Sequence, residues 1–228
     1  MSSKSIKILS GAAMRTFLAE VVPLFERAND AKVEVEFRLT SVLKKEIEQG
    51  VAFDLALLPR PEIDDLVKAG RIAEGATADV ARSTVGLCVR TGAPNPDIGT
   101  VPAFKAALIA AKSISYSDGP SGAYIAGLLD RLGLAEAMKP KIRLTSRPVA
   151  ELVAAGEAEI GLQQIVAILP VKGADLVGPL PAELQNVIIY AAGLSAAAGD
   201  AKVARAFVAF TKTPQAGQIM RGKGLEPA

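Results

Sequence analysis

Three short segments of small and hydroxyl-bearing residues each follow a predicted strand and lead into a predicted helix. They are Ser10–Met14 (SGAAM), Arg38–Ser41 (RLTS) and Ser117–Tyr124 (SDGPSGAY). The first N–H groups of a helix have no partner inside the helix, and the helix dipole attracts negative charge to them. Small side chains such as Ala12 and Ala13 let a ligand approach those groups. Each segment is therefore a candidate anion site, although tight turns and ordinary helix caps have the same composition.

Charged and amide side chains near these segments extend the candidate site. A guanidinium group can bind a carboxylate or an oxyanion through two hydrogen bonds. We consider this function for Arg38 and Arg147. A solvated surface position is the alternative for both. The amides of Gln163 and Gln164, at the end of a short strand, can donate to an anion without adding charge. The predicted ligand contacts are Ala12, Ala13, Arg38, Thr40, Ser41, Ser121, Gly122, Ser146, Arg147 and Gln164.

The absence of His and the presence of a single Cys limit the catalytic and metal-binding chemistry that this chain can perform. The chain has no His and a single Cys, Cys88. Ser-His-Asp catalysis, His-containing metal sites, multi-Cys sites and an internal disulfide are excluded, and we expect no metal or other cofactor. Any proton transfer would need a carboxylate, Lys, Tyr or Cys. Tyr116 and Tyr124, beside the third segment, are the nearest candidates.

Composition narrows the class of protein. The 228 residues suffice for one large domain or for two lobes of about 100 residues each. A net charge of +2 gives no electrostatic case for nucleic acid. No apolar run approaches the roughly 18 residues of a membrane span, so we expect no membrane insertion. No basic and apolar leader precedes the first strand, which predicts a cytoplasmic protein as written, or a periplasmic one whose leader has been removed.

Strand and helix patterns alternate along the chain, which predicts an α/β fold with mostly parallel sheets. Two long apolar strands, Val85–Arg90 and Ile188–Ala192, bracket the middle third. We interpret them as two hinge crossings between lobes. The predicted lobes are 1–84 with 190–228, and 85–189, and a ligand would bind in the cleft between them.

Longer motifs resemble a known family, the molybdate-binding proteins of ABC importers. The resemblance runs through KILSGAAM, KVEVEFRLTSVLKKEIEQG, FDLALLP, SDGPSGAYIAGLLDRLGL and FVAFTKTPQAGQIMRGKGLEP, in this order. It implies the type II periplasmic-binding-protein fold, which has two lobes, and a small anion bound in the inter-lobe cleft. It also implies an ABC importer as partner if the protein is exported.

The resemblance also implies which positions contact the anion. Thr40 or Ser41 matches a hydroxyl contact of the family, and Ser121 matches a backbone N–H contact. A further backbone contact falls near Ser146 or Arg147.

Two positions of the implied site depart from the family. Ala13 stands where the family has a hydroxyl, and Gln164 stands where it has Tyr. Two side-chain donors are thus lost, while Arg38 and Arg147 stand close by. These changes favour a larger, carboxylate-bearing ligand over molybdate.

Two function classes follow from the resemblance. The leading one is a binding protein for an organic-acid anion, without catalysis. Aconitate isomerases resemble the same family, so the second is a cytoplasmic isomerase of a small polycarboxylate such as aconitate. The type II fold also forms the effector domain of LysR-type regulators. This third class ranks last because the chain has no helix-turn-helix segment to spare.

Overall fold

The structure is a computed structural model that describes residues 4–118, 120–199 and 201–228. Helices and strands alternate through most of the chain, as the sequence predicts for an α/β protein. The strands are β1 (Lys4–Gly11), β2 (Ala31–Arg38), β3 (Leu55–Pro59), β4 (Ile72–Ser83), β5 (Val85–Arg90), β6 (Ile114–Ser117), β7 (Ile142–Thr145), β8 (Ile160–Gln164), β9 (Ala174–Pro179), β10 (Ile188–Ser195) and β11 (Glu226–Pro227). The helices are α1 (Arg15–Asn29), α2 (Thr40–Glu48), α3 (Arg60–Lys68), α4 (Val101–Ala110), α5 (Pro120–Arg131), α6 (Ala135–Met138), α7 (Val149–Ala154), α8 (Ile165–Ile168), α9 (Ala201–Thr211) and α10 (Pro214–Gly222).

The chain divides into two compact units. Unit 1 consists of the chain up to Arg82 together with Ile188–Ala228, and unit 2 is Ser83–Val187. The chain thus leaves unit 1 just before β5 and returns to it at the start of β10. No helix within the described ranges is long and apolar enough to cross a membrane.

Unit 1 contains a six-stranded sheet in the order β11-β4-β10-β3-β1-β2. β1 runs parallel to both β2 and β3, so the carboxyl ends of these three strands lie at one edge of the sheet. β10 runs antiparallel to β3, and Tyr190 pairs with Pro59. The start of β10 therefore lies at the same edge as the end of β3, and we call this edge the carboxyl edge.

Unit 2 contains a five-stranded sheet in the order β7-β6-β8-β5-β9. β6 is parallel to β7 and β8, whereas β5 is antiparallel to β8 and β9. The expectation of mostly parallel sheets is therefore corrected: both sheets are mixed. The antiparallel partners include β5 and β10, the strands that follow the two passages of the chain between units. A strand that arrives from another unit is not constrained by a β-α-β crossover to run parallel to its neighbour.

The sequence pattern of residues 72–82 predicts no strand, whereas the structure has nearly all of β4 there. The segment IAEGATADVARS carries Glu74, Gly75 and Asp79, which weaken the alternation of apolar and polar residues. Gly75 adopts a left-handed φ of 67°, which interrupts the regular strand pattern locally. Pairing with neighbouring strands of the sheet stabilises this segment as a strand, although its local strand propensity is low.

Burial of the Cys88 thiol predicts a loss of stability at alkaline pH. Its thiol packs closely against Gly161, where an added Cβ would lie 2.7 Å from Sγ. Burial raises the pKa of the Cys88 thiol from 9.0 to about 11. An exposed thiol in the unfolded chain loses its proton first as the pH rises, so the thiol's contribution to stability is complete below pH 9. It is lost between pH 9 and about 11.

We expect the free energy of unfolding to fall by up to about 2–3 kcal/mol over this interval through Cys88 alone. Urea titrations at about pH 8 and pH 11 measure it. The Cys88→Ala variant is the control, because it lacks the titrating group although its cavity lowers stability at both pH values. An equal loss of stability in both proteins would contradict the prediction.

Candidate functional site

Three helices of unit 1 begin at the carboxyl edge. A 3-10 turn, Ala12–Met14, follows β1 and leads into α1, while α2 and α3 begin within two residues of the ends of β2 and β3. The N-cap residues of the 3-10 turn, α2 and α3 are Gly11, Leu39 and Pro59, and none makes a side-chain capping hydrogen bond. The first N–H groups of these helices are therefore free of side-chain caps. An anion is the ligand that such groups favour.

Gly11 brings the end of β1 close to the start of α2. Its backbone is extended, and an added Cβ would lie 3.3 Å from Thr40 Oγ1. The Thr40 hydroxyl therefore lies directly beside the turn that contains Ala12 and Ala13. Ala12 and Ser41 are exposed, whereas Ala13 and Thr40 are half-buried. The structure thus brings together the first two segments predicted from the sequence.

Arg38 lies at this edge, but two carboxylates already balance its charge. Its Nη2 lies 3.0 Å from Glu36 Oε2 and its Nε lies 3.4 Å from Glu46 Oε2. The hydrogen bond to Glu36 and the charges of Glu46 and Glu36 raise the pKa of Arg38. A ligand carboxylate would have to compete with both glutamates for this guanidinium.

Arg15 is a second cation at the carboxyl edge and is not among the ligand contacts predicted from the sequence. Its guanidinium carbon lies 4.2 Å from the centre of the Phe37 ring, near the end of β2. Arg15 is exposed and forms no ion pair with any residue that the structure describes. The signal was its position: a cation at the first residue of a helix is disfavoured by the helix dipole, unless an anion accompanies it.

The start of α5 in unit 2 is tightly packed. Ser117 Oγ and Ser121 Oγ are 2.9 Å apart, and Gly122 is buried. A Cβ at Gly122 would overlap the carbonyl oxygen of Ser117. The backbone of α5 can therefore approach the end of β6 only with glycine at this position. Gly119, within the same predicted segment, lies outside the described residues.

The loop after β7 holds Ser146 and Arg147, which are both exposed. The Arg147 backbone N–H donates to Thr145 Oγ1 at 2.9 Å, and its guanidinium donates to Glu157 at 2.8 Å. Of the two positions implied for a backbone contact with the anion, Ser146 and Arg147, the N–H of Arg147 is thus already bonded to Thr145. These residues line a shallow depression of about 670 Å³ together with Arg143.

Gln164 is buried at the end of β8. With its amide nitrogen facing the start of unit 2, it donates to Ser83 Oγ at 2.8 Å and to the carbonyl oxygens of Ser83 and Thr84 at 3.3 Å. Gln163 Oε1 accepts from the N–H of Ala150 at 3.2 Å. Both amides therefore hold secondary-structure elements of unit 2 together.

The surroundings of Tyr116 and Tyr124, the two tyrosines considered as bases, favour a structural function for both. The Tyr124 hydroxyl donates to the carbonyl oxygen of Leu184 at 2.9 Å. Tyr116 is buried, and burial followed by the charge of Asp130 raises its pKa. A tyrosine with a raised pKa keeps its proton at neutral pH and is a poor base.

Comparison with known proteins places this geometry in a family. A family model described as "Bacterial extracellular solute-binding protein" matches residues 6–226. The chain belongs to this family.

Solved structures agree with the solute-binding fold. A substrate-binding domain ascribed to a molybdenum ABC transporter of Clostridium difficile superposes with a TM-score of 0.86 at 17% identity, covering 99% of this chain and 100% of that one. The periplasmic molybdate-binding protein of Azotobacter vinelandii has a TM-score of 0.74 at 16% identity, covering 96% and 98%. At these identities the likeness shows the fold, which confirms the predicted type II periplasmic-binding-protein class.

One curated relative of this solute-binding protein is an enzyme. An aconitate isomerase from Pseudomonas sp. is 29% identical over 230 residues, which cover 98% of this chain and 88% of the relative. The resemblance to molybdate-binding proteins and to aconitate isomerase, expected from the sequence motifs, is thus confirmed.

Proposed function

We propose that this solute-binding protein binds a small organic-acid anion at the carboxyl edge of unit 1. One observation carries the proposal: three helices start at this edge without side-chain caps, and an exposed Arg15 beside them has no acidic partner among the described residues. Thr40 and Ser41 add hydroxyl donors, and the backbone of Ala12 and Ala13 is approachable because their side chains are small.

The start of α5 in unit 2 is a second anion-binding position in this proposal. Ser121 and Gly122 lie in the first turn of a 12-residue helix that directly follows β6. Arg147 and Gln164 contribute less, because Glu157, Ser83 and Thr84 already engage their side chains.

A carboxylate-bearing ligand fits these cationic, hydroxyl and backbone N–H groups better than molybdate. A guanidinium group and a row of backbone N–H groups can each engage a separate carboxylate. The similarity to an aconitate isomerase supports the same ligand class.

Calorimetric titration with trans-aconitate, citrate and molybdate tests the proposal. We expect Arg15→Gln to weaken binding of the tightest carboxylic acid by roughly ten- to a hundredfold, as the loss of a charge-assisted contact does. The matched variant Arg38→Gln should weaken it by less than about fivefold, because Glu36 and Glu46 already offset that charge. Tighter binding of molybdate than of every acid would contradict the ligand class, and equal effects of the two variants would remove Arg15 from the site.

Isomerisation of an organic acid is the second candidate function, and the 29% identity to aconitate isomerase over nearly the whole chain favours it. The two functions differ in partner and location. A transport function requires an exported protein that delivers its ligand to an ABC importer, whereas an isomerase needs no protein partner and can act in the cytoplasm.

A further inference from the structure

Two polar side chains outside the predicted site meet at the carboxyl edge of unit 1. Tyr190, near the start of β10, pairs with Pro59, the last residue of β3. α3 begins at the next residue, and Glu62 is its third residue. The phenol and the carboxylate therefore approach the end of β3 from two neighbouring elements.

Glu62 Oε2 and the Tyr190 hydroxyl form no hydrogen bond with the residues that the structure describes. Glu62 Oε2 is buried, and Tyr190 is only 6% exposed. Buried polar groups without partners are rare in folded proteins and unfavourable. Among the described residues Glu62 Oε2 is such a group, whereas the hydroxyl of the largely buried Tyr190 keeps some contact with solvent.

No cation forms an ion pair with Glu62 among the described residues, although the hydrogen bond to Asp65 and, to a smaller extent, the charge of Glu62 raise the pKa of Lys44. The Arg60 guanidinium pairs with Asp79, with 2.8 Å from Nε to Oδ1, and lies 3.5 Å from Asp64. Lys44 Nζ pairs with Asp65 at 2.6 Å. Burial, and then the charge of Glu62, raises the pKa of Tyr190 to about 12. The phenol is therefore protonated at neutral pH and serves as a donor, not as a base.

We propose that Glu62 is the general base and Tyr190 the hydrogen-bond donor for a proton transfer on an organic acid bound at the carboxyl edge. The inference rests on the proposed binding of an organic acid, and it adds the residues that would perform the chemistry. Both residues belong to the same sheet edge as Arg15 and Thr40, so the base lies in the unit that supplies these anion contacts.

The step is an allylic proton shift that needs no oxidant, reductant or co-reactant. With trans-aconitate, the Glu62 carboxylate takes a proton from the methylene carbon, and the electron pair of that C–H bond forms the new C=C bond. The old C=C pair moves to the former vinyl carbon, and its charge spreads into the adjoining carboxylate. Tyr190 donates a hydrogen bond to that carboxylate, and the Glu62 carboxylic acid returns the proton to the former vinyl carbon.

Other groups are poorer bases in this chain. The chain has no His, and the Cys88 thiol has a pKa raised to about 11 by burial. The Tyr124 hydroxyl is engaged as the donor of a hydrogen bond to the carbonyl oxygen of Leu184. Asp118, which follows β6 in unit 2, is an exposed carboxylate and serves as the comparison.

Proton exchange in deuterated water tests the assignment. The full-length protein is incubated with trans-aconitate, and ¹H NMR follows the methylene and vinyl signals and the appearance of the cis isomer. We expect wild-type exchange to fall by at least about a hundredfold in Glu62→Gln and by roughly ten- to a hundredfold in Tyr190→Phe. Glu74→Gln, an exposed glutamate on β4, should leave the rate unchanged.

Binding of trans-aconitate, measured by calorimetry on the same proteins, separates this inference from the proposed function. Glu62→Gln should bind within about threefold of wild type and melt no lower, because Glu62 Oε2 accepts no hydrogen bond that the substitution would remove. A wild-type protein that binds the acid without exchanging its protons overturns the inference and leaves the binding function standing. Exchange that survives in Glu62→Gln and disappears in Asp118→Asn also overturns it. A wild-type protein that binds no organic acid overturns the proposed function and the inference with it.

Discussion

Replacing Gly122 with alanine should abolish most anion binding and destabilise unit 2. The added Cβ would overlap the carbonyl oxygen of Ser117, a backbone atom that no side-chain rotation can move away. The start of α5 must therefore shift away from β6, which moves Ser121 and the first N–H groups of the helix. We expect the affinity for the tightest organic acid to fall more than about tenfold, and the free energy of unfolding by about 1–3 kcal/mol.

Gly127 in the same helix provides the matched control. A Cβ there would lie 3.6 Å from Arg131 Nη1, an ordinary contact. Gly127→Ala should therefore stabilise α5 by about 0.5–1 kcal/mol through helix propensity and leave binding unchanged. Calorimetric titration of both variants measures the affinity for the acid, and urea unfolding measures the free energy of unfolding. Wild-type affinity in a folded Gly122→Ala protein would mean that the start of α5 does not contact the ligand.

Local sequence patterns predicted those helices, strands and turns whose structure depends on residues close together in the chain. The alternation of apolar and polar residues in KVEVEFR indicates a strand, and β2 spans Ala31–Arg38. The small residues Gly11 and Gly122 marked helix starts where the backbone lies close to a neighbouring element, which is Thr40 of α2 for Gly11 and the end of β6 for Gly122. These features depend on contacts within a few residues, so periodicity and turn chemistry encode them.

Features that depend on distant parts of the chain could not be predicted in this way. Arg38 looked free because Glu46 joins it only when α2 packs against the end of β2. In the sequence, Tyr190 looks like one more apolar position of a buried strand. Glu62 looks like one of the acidic residues that are common in the first turn of a helix. Their juxtaposition depends on the antiparallel pairing of β10 with β3, which brings together residues more than 120 positions apart in the chain.

Replacing Phe25 with alanine should cause the largest loss of stability among the core substitutions considered. Phe25 on α1 is fully buried and contacts two aromatic rings of α9, Phe207 at 5.0 Å and Phe210 at 5.6 Å between ring centres, both edge to face. α1 and α9 belong to the two chain segments that together form unit 1. Removal of this ring should lower the free energy of unfolding by about 3–5 kcal/mol, since the cavity lies between two elements that cannot collapse onto each other.

Phe210→Ala is the control, because Phe210 is half-buried and part of its side chain already faces solvent. We expect a cost of about 1–2 kcal/mol for it, below that of a fully buried phenylalanine. Hydrogen exchange of the amides of α1 and α9 locates the effect, and urea titration measures its size. Equal costs for the two variants would show that the Phe25 ring contributes no more than a half-exposed one. In that case the junction between the two segments of unit 1 would depend on the sheet pairing of β3 with β10 rather than on this aromatic cluster.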